Sequence, residues 1–223
     1  MGTGAAFFDM DHTVTWKNSG LSFIRYARRR GLASRGHLAK SFFTIILYRL
    51  SLLNIERWYE KSVETLAGAR ADELEAFCRI WFRDTLGKAI YREALDLIGI
   101  RRREGLTVAI ISNAPSFFVK PMAEALEIAD VISTNVEIRD GALTGGLVKP
   151  LCYGEGKKLY ALRWAQENGI DLKESYFYTD SYFDLPLMEA VGHPCATNPD
   201  LKLRKAAWEN GWPILVFRRE SAF

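Results

Sequence analysis

Two pairs of carboxylates stand where short apolar runs end. Asp9 and Asp11 follow the run AAFF, and Asp180 and Asp184 follow the run YFYT. If each run is a buried parallel strand, these acids lie near the carboxyl edge of one sheet, where such sheets bind ligands. Because gathered carboxylates repel one another, a hard divalent cation is the usual reason to gather them. The spacing favours a metal-dependent site, while a DxD pattern alone also fits two acids in an ordinary turn.

Two further candidates could bind an anion. Ser112 ends the apolar run TVAIIS and Asn113 follows it, just before a predicted helix, and a hydroxyl with backbone amides at a helix start suits a phosphate. A plain helix N-cap explains the same residues. Lys157 lies in GEGKK at another helix start, without the spacing of a P-loop, and Lys158 beside it leaves the register open.

The elements that must position these residues alternate between strand and helix. The apolar runs lack polar alternation, which is typical of strands buried on both faces. We therefore predict an α/β fold with a doubly wound, Rossmann-like parallel sheet. The predicted strands are AAFF (5–8), TVAIIS (107–112), YFYTD (176–180), PCATN (194–198) and WPILVF (212–217).

The long stretch between the first two strands has helical periodicity and more helix than one crossover needs. We predict that residues 16–84 form an all-helical cap, inserted into a catalytic core of residues 1–15 plus 85–223. The cap helices are expected near 18–30, 35–53, 56–68 and 71–84. Within 133–148, Asp140-Gly141 between alternating residues predicts a small β-hairpin flap. Asn198, before Pro199, predicts an N-cap of the last helix.

Composition excludes several classes of protein. The 223 residues are 48% hydrophobic, too many for a disordered chain, and three widely spaced cysteines support neither a disulfide framework nor a CxxC site. The first residues do not resemble a signal peptide, and the most apolar segment, residues 42–53, is too short to span a bilayer. We therefore expect a cytoplasmic protein, and the sequence gives no indication of its oligomeric state.

The order of the four signals is more specific than any one of them. DxDxT after the first strand, Ser after the second, Lys at a helix start and D(x)3D after a later strand resemble the four motifs of the haloacid dehalogenase superfamily. Within it, DHT, GEGK, DSxxDLPL and a late NPD are similar to the phosphoserine-phosphatase-like subfamily IB, which has a type C1 helical cap. The resemblance covers almost the whole chain.

The resemblance implies a magnesium-dependent phosphatase that forms an aspartyl-phosphate. It assigns Asp9 as nucleophile and Asp11 as general acid and base. The residues that it assigns to phosphate binding are Ser112, Asn113 and Lys157. The ligands that it assigns to Mg²⁺ are Asp9, Asp180 and the backbone carbonyl of Asp11, with Asp184 beside them.

Two residues depart from the pattern of the branch. Phe183 stands where Asn is frequent, and His12 stands where many relatives have Gly. Dehalogenases generally lack the second Asp of DxD, so the pair favours phosphorus chemistry. A receiver domain, phosphorylated without turnover, also combines acids, a hydroxyl and a Lys on such a sheet, but the large insertion and the DxD disfavour it.

The net charge of +3 conceals a basic segment. Residues 16–55 contain eight Lys and Arg and no acid. We expect a small phosphorylated substrate, phosphoserine-like or related. A lipid phosphate met at a membrane surface is the alternative, with peripheral contact through the basic and apolar part of the cap. A cap with solvated arginines and its own apolar core explains the same segment, and no nucleic-acid-binding motif accompanies it.

Overall fold

A computed structural model describes residues 3–31 and 55–220. Its centre is a parallel six-stranded sheet with strand order β3-β2-β1-β6-β7-β8, and β4 and β5 form a separate antiparallel pair. The strands are β1 (Ala5–Phe8), β2 (Thr107–Pro115), β3 (Asp130–Thr134), β4 (Val136–Arg139), β5 (Ala142–Leu147), β6 (Tyr176–Thr179), β7 (His193–Thr197) and β8 (Ile214–Leu215). The order places the two acid-bearing strands β1 and β6 side by side.

The helices lie between these strands. In chain order they are α1 (Ser19–Arg29), α2 (Ile55–Glu64), α3 (Ala71–Trp81), α4 (Arg92–Arg103), α5 (Ser116–Ala125), α6 (Glu155–Glu167), α7 (Leu185–Met188) and α8 (Leu201–Glu209). A π-helical turn, Phe82–Leu86, and three short 3-10 turns, Gly87–Ala89, Leu172–Glu174 and Tyr182–Asp184, complete the described helical structure. No helix among the described residues is long and apolar enough to cross a membrane.

The sheet is covered on both faces. Ala6 and Phe8 of β1 pack into one apolar cluster, and Ala5 and Phe7 pack into another on the opposite face. The first cluster includes aromatic residues of the helical segment, such as Trp81, which is fully buried. Burial on both faces explains why the strands lack polar alternation. The predicted α/β class and parallel sheet are confirmed.

The hairpin was also predicted correctly. β4 and β5 pair antiparallel, and Asp140 and Gly141 at their turn have φ angles of 51° and 76°. Both angles lie in the left-handed region, which Asp-Gly tolerates in tight hairpin turns.

Three details of the sequence prediction differ from the structure. The last helix is capped by Asp200, whose carboxylate accepts from the Leu203 amide, and Asn198 instead has a φ of 48° outside the helix. The edge strand β3 was not predicted, and its last two residues, 133–134, fall within the range predicted for the hairpin flap. Only Ile214–Leu215 of the run 212–217 is strand.

The helical segment agrees in part. Helices α1, α2 and α3 overlap three of the expected cap helices, whereas the helix expected at 35–53, with its apolar stretch 42–53, lies outside the described residues. The division into a cap and a core therefore stays a prediction.

Candidate active site

A buried cluster of charges joins three of the sequence motifs. Lys157 Nζ lies 2.8 Å from Asp9 Oδ1 and 2.7 Å from Asp184 Oδ2. All three side chains are almost completely buried, so both carboxylates depend on Lys157 for stabilisation and Lys157 depends on them. Lys158, by contrast, is half-buried and lies 3.8 Å from Glu155. Of the two adjacent lysines, the structure brings Lys157 to the acids.

Glycines allow Lys157 to reach this position. A Cβ at Gly156 would lie 2.0 Å from the Leu151 carbonyl oxygen, so no side chain fits there. Gly154, which precedes α6, has a φ of 54°, in the region that favours glycine. The two glycines let the chain turn sharply and start α6 against the preceding loop. Lys157 then lies in the first turn of the helix and faces the sheet.

Asp11 is held by the start of α1. Its carboxylate accepts hydrogen bonds from the Ser19 amide and hydroxyl, at 3.0 and 2.9 Å to Oδ2, and from Asn18 Nδ2 at 3.0 Å. Burial, followed by the charge of Asp9, raises the pKa of Asp11 to about 7. Asp11 can therefore exchange a proton near neutral pH, as a general acid and base must.

The remaining acids follow β6. Thr179 Oγ1 donates to Asp184 Oδ2 at 2.6 Å, and the amide of Asp200 donates to the Asp180 carbonyl at 2.8 Å. Burial raises the pKa of Asp180 well above its usual value, and the charges of Asp9, Asp184 and Asp11 raise it further. Burial and Asp184 likewise raise the pKa of Asp9 to about 6, although Lys157 opposes this. The acids that follow β1 and those that follow β6 are therefore close enough to raise one another's pKa.

This donor set fits a divalent cation. Two carboxylates contact the Lys157 ammonium group, and those of Asp11 and Asp180 lie near enough to interact with its charge. Oxygen donors with excess negative charge are what Mg²⁺ prefers. Among residues 3–31 and 55–220, no three His, Cys, Asp or Glu side chains come close enough to hold a metal by themselves. A site made of Asp9, Asp180 and the backbone carbonyl of Asp11 needs only two side chains, so it is compatible with that finding.

The predicted phosphate-binding pair lies on the next strand. Ser112, near the end of β2, is buried, and its Oγ accepts from the Ala114 amide at 3.2 Å. The Asn113 carbonyl accepts from the Tyr59 hydroxyl at 2.7 Å. Since β1 and β2 are paired in parallel, Ser112 lies at the same edge of the sheet as Asp9. No hydrogen bond joins Ser112 or Asn113 to the described acids.

Several residues that contribute to the site were not predicted from sequence. Asn18 and Ser19 position Asp11, and the N-cap signal of Asn18 was available in the sequence. Thr179 and Tyr59 had no local signal, because their partners lie on other elements. Asn198 connects two loops: its Nδ2 donates to the His12 carbonyl at 2.8 Å, and its Oδ1 accepts from the Phe217 amide at 2.7 Å.

The two departures from the branch pattern have structural correlates. His12 has a φ of 57°, in the left-handed region, which explains why glycine suits this position in many relatives. The ring of Phe183 packs against Tyr153, with centroids 5.2 Å apart. Phe183 therefore contributes an apolar contact beside the buried cluster.

Known proteins resemble this chain over most of its length. The model of the haloacid dehalogenase-like hydrolase family matches residues 6–189. A probable phosphatase of Mycobacterium tuberculosis is 34% identical over 218 residues, which cover 96% of this chain and 76% of that protein. A histidinol-phosphatase of Neisseria meningitidis is 30% identical over 220 residues, which cover 96% of this chain and 98% of that enzyme.

Solved structures agree with these relatives. A protein of unknown function from Bordetella pertussis superposes with a TM-score of 0.86 at 30% identity, covering 96% of this chain and 99% of that one. An aspartyl-phosphate-intermediate analogue of phosphoserine phosphatase superposes with a TM-score of 0.71 at 18% identity, covering 99% and 96%, which shows a shared fold. The resemblance inferred from the four motifs is confirmed, and the chain belongs to the haloacid dehalogenase-like hydrolases.

Proposed function

We propose that this protein is a magnesium-dependent phosphomonoester hydrolase that forms a phosphoryl-enzyme on Asp9. The observation that carries the proposal is the buried cluster of Asp9, Lys157 and Asp184 beside Asp11, whose pKa is raised to about 7. A nucleophilic carboxylate next to a proton-carrying carboxylate is the pair of groups that this reaction needs.

In the first step a carboxylate oxygen of Asp9 attacks phosphorus, and the bond from phosphorus to the leaving oxygen breaks. Asp11 enters protonated and gives its proton to that oxygen. Lys157 holds Asp9 in position and neutralises charge on the phosphoryl oxygens, to which Ser112 and Asn113 contribute hydrogen bonds. Asp184 and Thr179 fix Lys157 from the other side.

In the second step Asp11 accepts a proton from a water molecule, whose oxygen attacks phosphorus. The bond to Asp9 breaks, which releases inorganic phosphate and restores the Asp9 carboxylate and the protonated form of Asp11. The hydrogen bonds from Asn18 and Ser19 keep Asp11 in place through both steps.

Asp9, Asp180 and the backbone carbonyl of Asp11 are the groups that would hold Mg²⁺, and Asp184 lies next to them. When bound, the ion supplies positive charge that offsets the repulsion between the attacking carboxylate and the phosphate.

The substrate that we propose is a small phosphorylated metabolite. A relative of 30% identity is named histidinol-phosphatase, which supports this size and class of substrate without fixing its identity. We propose that the helices α1 to α3 belong to a cap of residues 16–84 that selects it. A cytoplasmic location remains our expectation. The apolar segment that favoured a lipid phosphate lies outside the described residues.

The test is hydrolysis of p-nitrophenyl phosphate by the wild type, Asp9→Asn and Asp96→Asn, with Mg²⁺ and with a chelator. Asp96 is an exposed residue of α4 and serves as a control for the same substitution. We expect steady turnover by the wild type and Asp96→Asn, abolished by the chelator and by Asp9→Asn. Retention of most activity in Asp9→Asn would refute the assignment of Asp9 as the nucleophile. A stable stoichiometric phosphoprotein without turnover would instead support a receiver.

A further inference from the structure

A basic cavity lies next to the catalytic acid. Its volume is about 440 Å³, and its wall includes four cationic side chains, those of Lys17, Arg25, Arg29 and Arg219. No Asp or Glu is among the described residues that line it. We call this cavity the basic cavity.

Its positive charge is poorly compensated. Neither Arg25 nor Arg29 forms an ion pair with any residue in the described part of the chain. The nearby carboxylate of Asp84 accepts from the Tyr26 hydroxyl at 2.7 Å and lies 3.4 Å from Arg30, a cation outside the cavity wall. Residues 16–55 contain no acid, so the segment that follows α1 supplies no carboxylate to the cavity either.

The cations of the basic cavity also repel one another. Lys17 Nζ donates to the Thr85 carbonyl at 3.1 Å. Burial lowers the pKa of Lys17, and the charges of Arg29, Lys88 and Arg25 lower it further. Like charges gathered without a counterion destabilise the fold, so the arrangement favours binding of an anion.

Asn18 connects the basic cavity to the reaction. It lines the cavity, caps α1, and donates from Nδ2 to Asp11 Oδ2 at 3.0 Å. In the proposed mechanism Asp11 must touch the leaving oxygen of the substrate. The part of the substrate beyond that oxygen can therefore extend past Asn18 into the cavity.

The arginines are arranged along one face of α1. Arg25 and Arg29 are four residues apart, and Leu21 precedes them by the same interval, so the three side chains follow one another along the helix. Trp16 adds an aromatic wall and packs edge-on against Tyr91. The cavity thus combines apolar surface near its Asn18 end with guanidinium groups farther along α1.

We propose that the basic cavity binds a second anionic group, carboxylate or phosphate, carried on the leaving group of the substrate. Arg25 and Arg29 determine this specificity. The inference rests on the proposed phosphatase function and narrows the substrate class to phosphomonoesters whose alcohol portion is itself acidic. Guanidinium groups suit both anions because they donate two parallel hydrogen bonds.

The test uses paired substrates. Each ω-carboxyalkyl phosphate in a series of increasing chain length is compared with the n-alkyl phosphate of the same length, and the ratio of their kcat/KM values is measured. The variants are Arg25→Gln and Arg29→Gln, and the control is Arg28→Gln, an exposed residue of the same helix that does not line the cavity.

We expect the wild type to prefer the carboxylated member at one chain length. Each cavity variant should lower the ratio about tenfold or more, as expected for loss of a hydrogen bond between charged groups, and Arg28→Gln should leave it unchanged. An equal fall of the ratio in Arg28→Gln would show that any loss of positive charge on α1 has the same effect, and it would overturn the proposal. A wild type that hydrolyses alkyl phosphates with no preference at any length would also overturn it, while leaving the phosphatase function intact.

Inhibition separates a substrate subsite from an effector site. The ω-carboxyalkyl phosphonate with the preferred chain length, a substrate analogue that cannot be hydrolysed, should inhibit hydrolysis of the n-alkyl phosphate competitively and more strongly than the n-alkyl phosphonate of the same length. Its inhibition constant should rise in Arg25→Gln. Non-competitive inhibition would place the anion at a site separate from the substrate and would overturn the proposal. If no phosphomonoester is hydrolysed at all, the proposed function itself fails.

Discussion

The buried cluster and the basic cavity treat charge in opposite ways. In the cluster, Lys157 is 2% exposed and contacts two carboxylates within 2.8 Å. In the basic cavity, Arg25 and Arg29 are exposed and form no ion pair with a described residue. Both regions touch Asp11, the first through the charge of Asp9 and the second through Asn18. In the proposed mechanism the chemistry depends on charges that the fold holds in ion pairs, whereas the proposed selectivity depends on charges that remain available to a ligand.

The largest expected effect comes from removing the cation of the cluster. Lys157→Met leaves Asp9 and Asp184 buried without a counterion, which should lower the free energy of unfolding by about 3–5 kcal/mol. Urea denaturation without divalent cations measures it. Lys158→Met is the control. Lys158 is half-buried, and its ion pair with the exposed Glu155 is weak because the two charged atoms are 3.8 Å apart, so the variant should change the free energy of unfolding by less than about 1 kcal/mol. Equal effects of the two variants would contradict the distinction between buried and accessible charge.

The cluster also shows what sequence could predict. Strands buried on both faces carry a continuous apolar signal, so the positions of Asp9 and Asp180 at strand ends followed from local pattern. The glycines of GEGK similarly pointed to Lys157. The spacing of the motifs did not show that β1 and β6 are adjacent strands. That adjacency, which brings the two pairs of acids together, is a property of the folded sheet.

The rest of the site depends on contacts between distant parts of the chain. Tyr59 reaches the Asn113 carbonyl from a helix 54 residues away, and Asn198 bonds to the His12 carbonyl 186 residues away. Neither contact leaves a periodic signal. Asn198 was assigned to a helix cap because Asn before Pro commonly caps helices, yet the next acid, Asp200, takes that position. The contacts of Tyr59 and Asn198 therefore depend on long-range hydrogen bonds, which the sequence pattern does not reveal.

A smaller effect is expected from the hydroxyl that supports the cluster. Thr179→Val removes the hydrogen bond of 2.6 Å to Asp184 without changing the shape of the side chain much. The free energy of unfolding should fall by about 1.5–3 kcal/mol, because the lost bond is to a buried charged group. Urea denaturation of Thr179→Val and of a control, Thr13→Val, measures it.

Thr13 is a suitable control because its buried hydroxyl has no hydrogen-bond partner in the described part of the chain. Valine removes an unsatisfied polar atom there, so Thr13→Val should be neutral or slightly stabilising. A loss in Thr13→Val as large as that in Thr179→Val would show that the β-branched substitution, and not the bond to Asp184, causes the effect.

The smallest effect, and the one of opposite sign, is expected in the basic cavity. Arg25→Gln removes one member of a group of like charges that includes Lys17 and Arg29. The free energy of unfolding should therefore rise slightly, by less than about 0.5 kcal/mol, at low ionic strength. The gain should vanish near 1 M salt, where the screening length falls to about 3 Å. Arg28→Gln, outside the cavity, should show a smaller gain under the same conditions. A loss above about 1 kcal/mol in Arg25→Gln would mean that this arginine holds the fold together, as Lys157 does, and the contrast between fixed and available charge would fail.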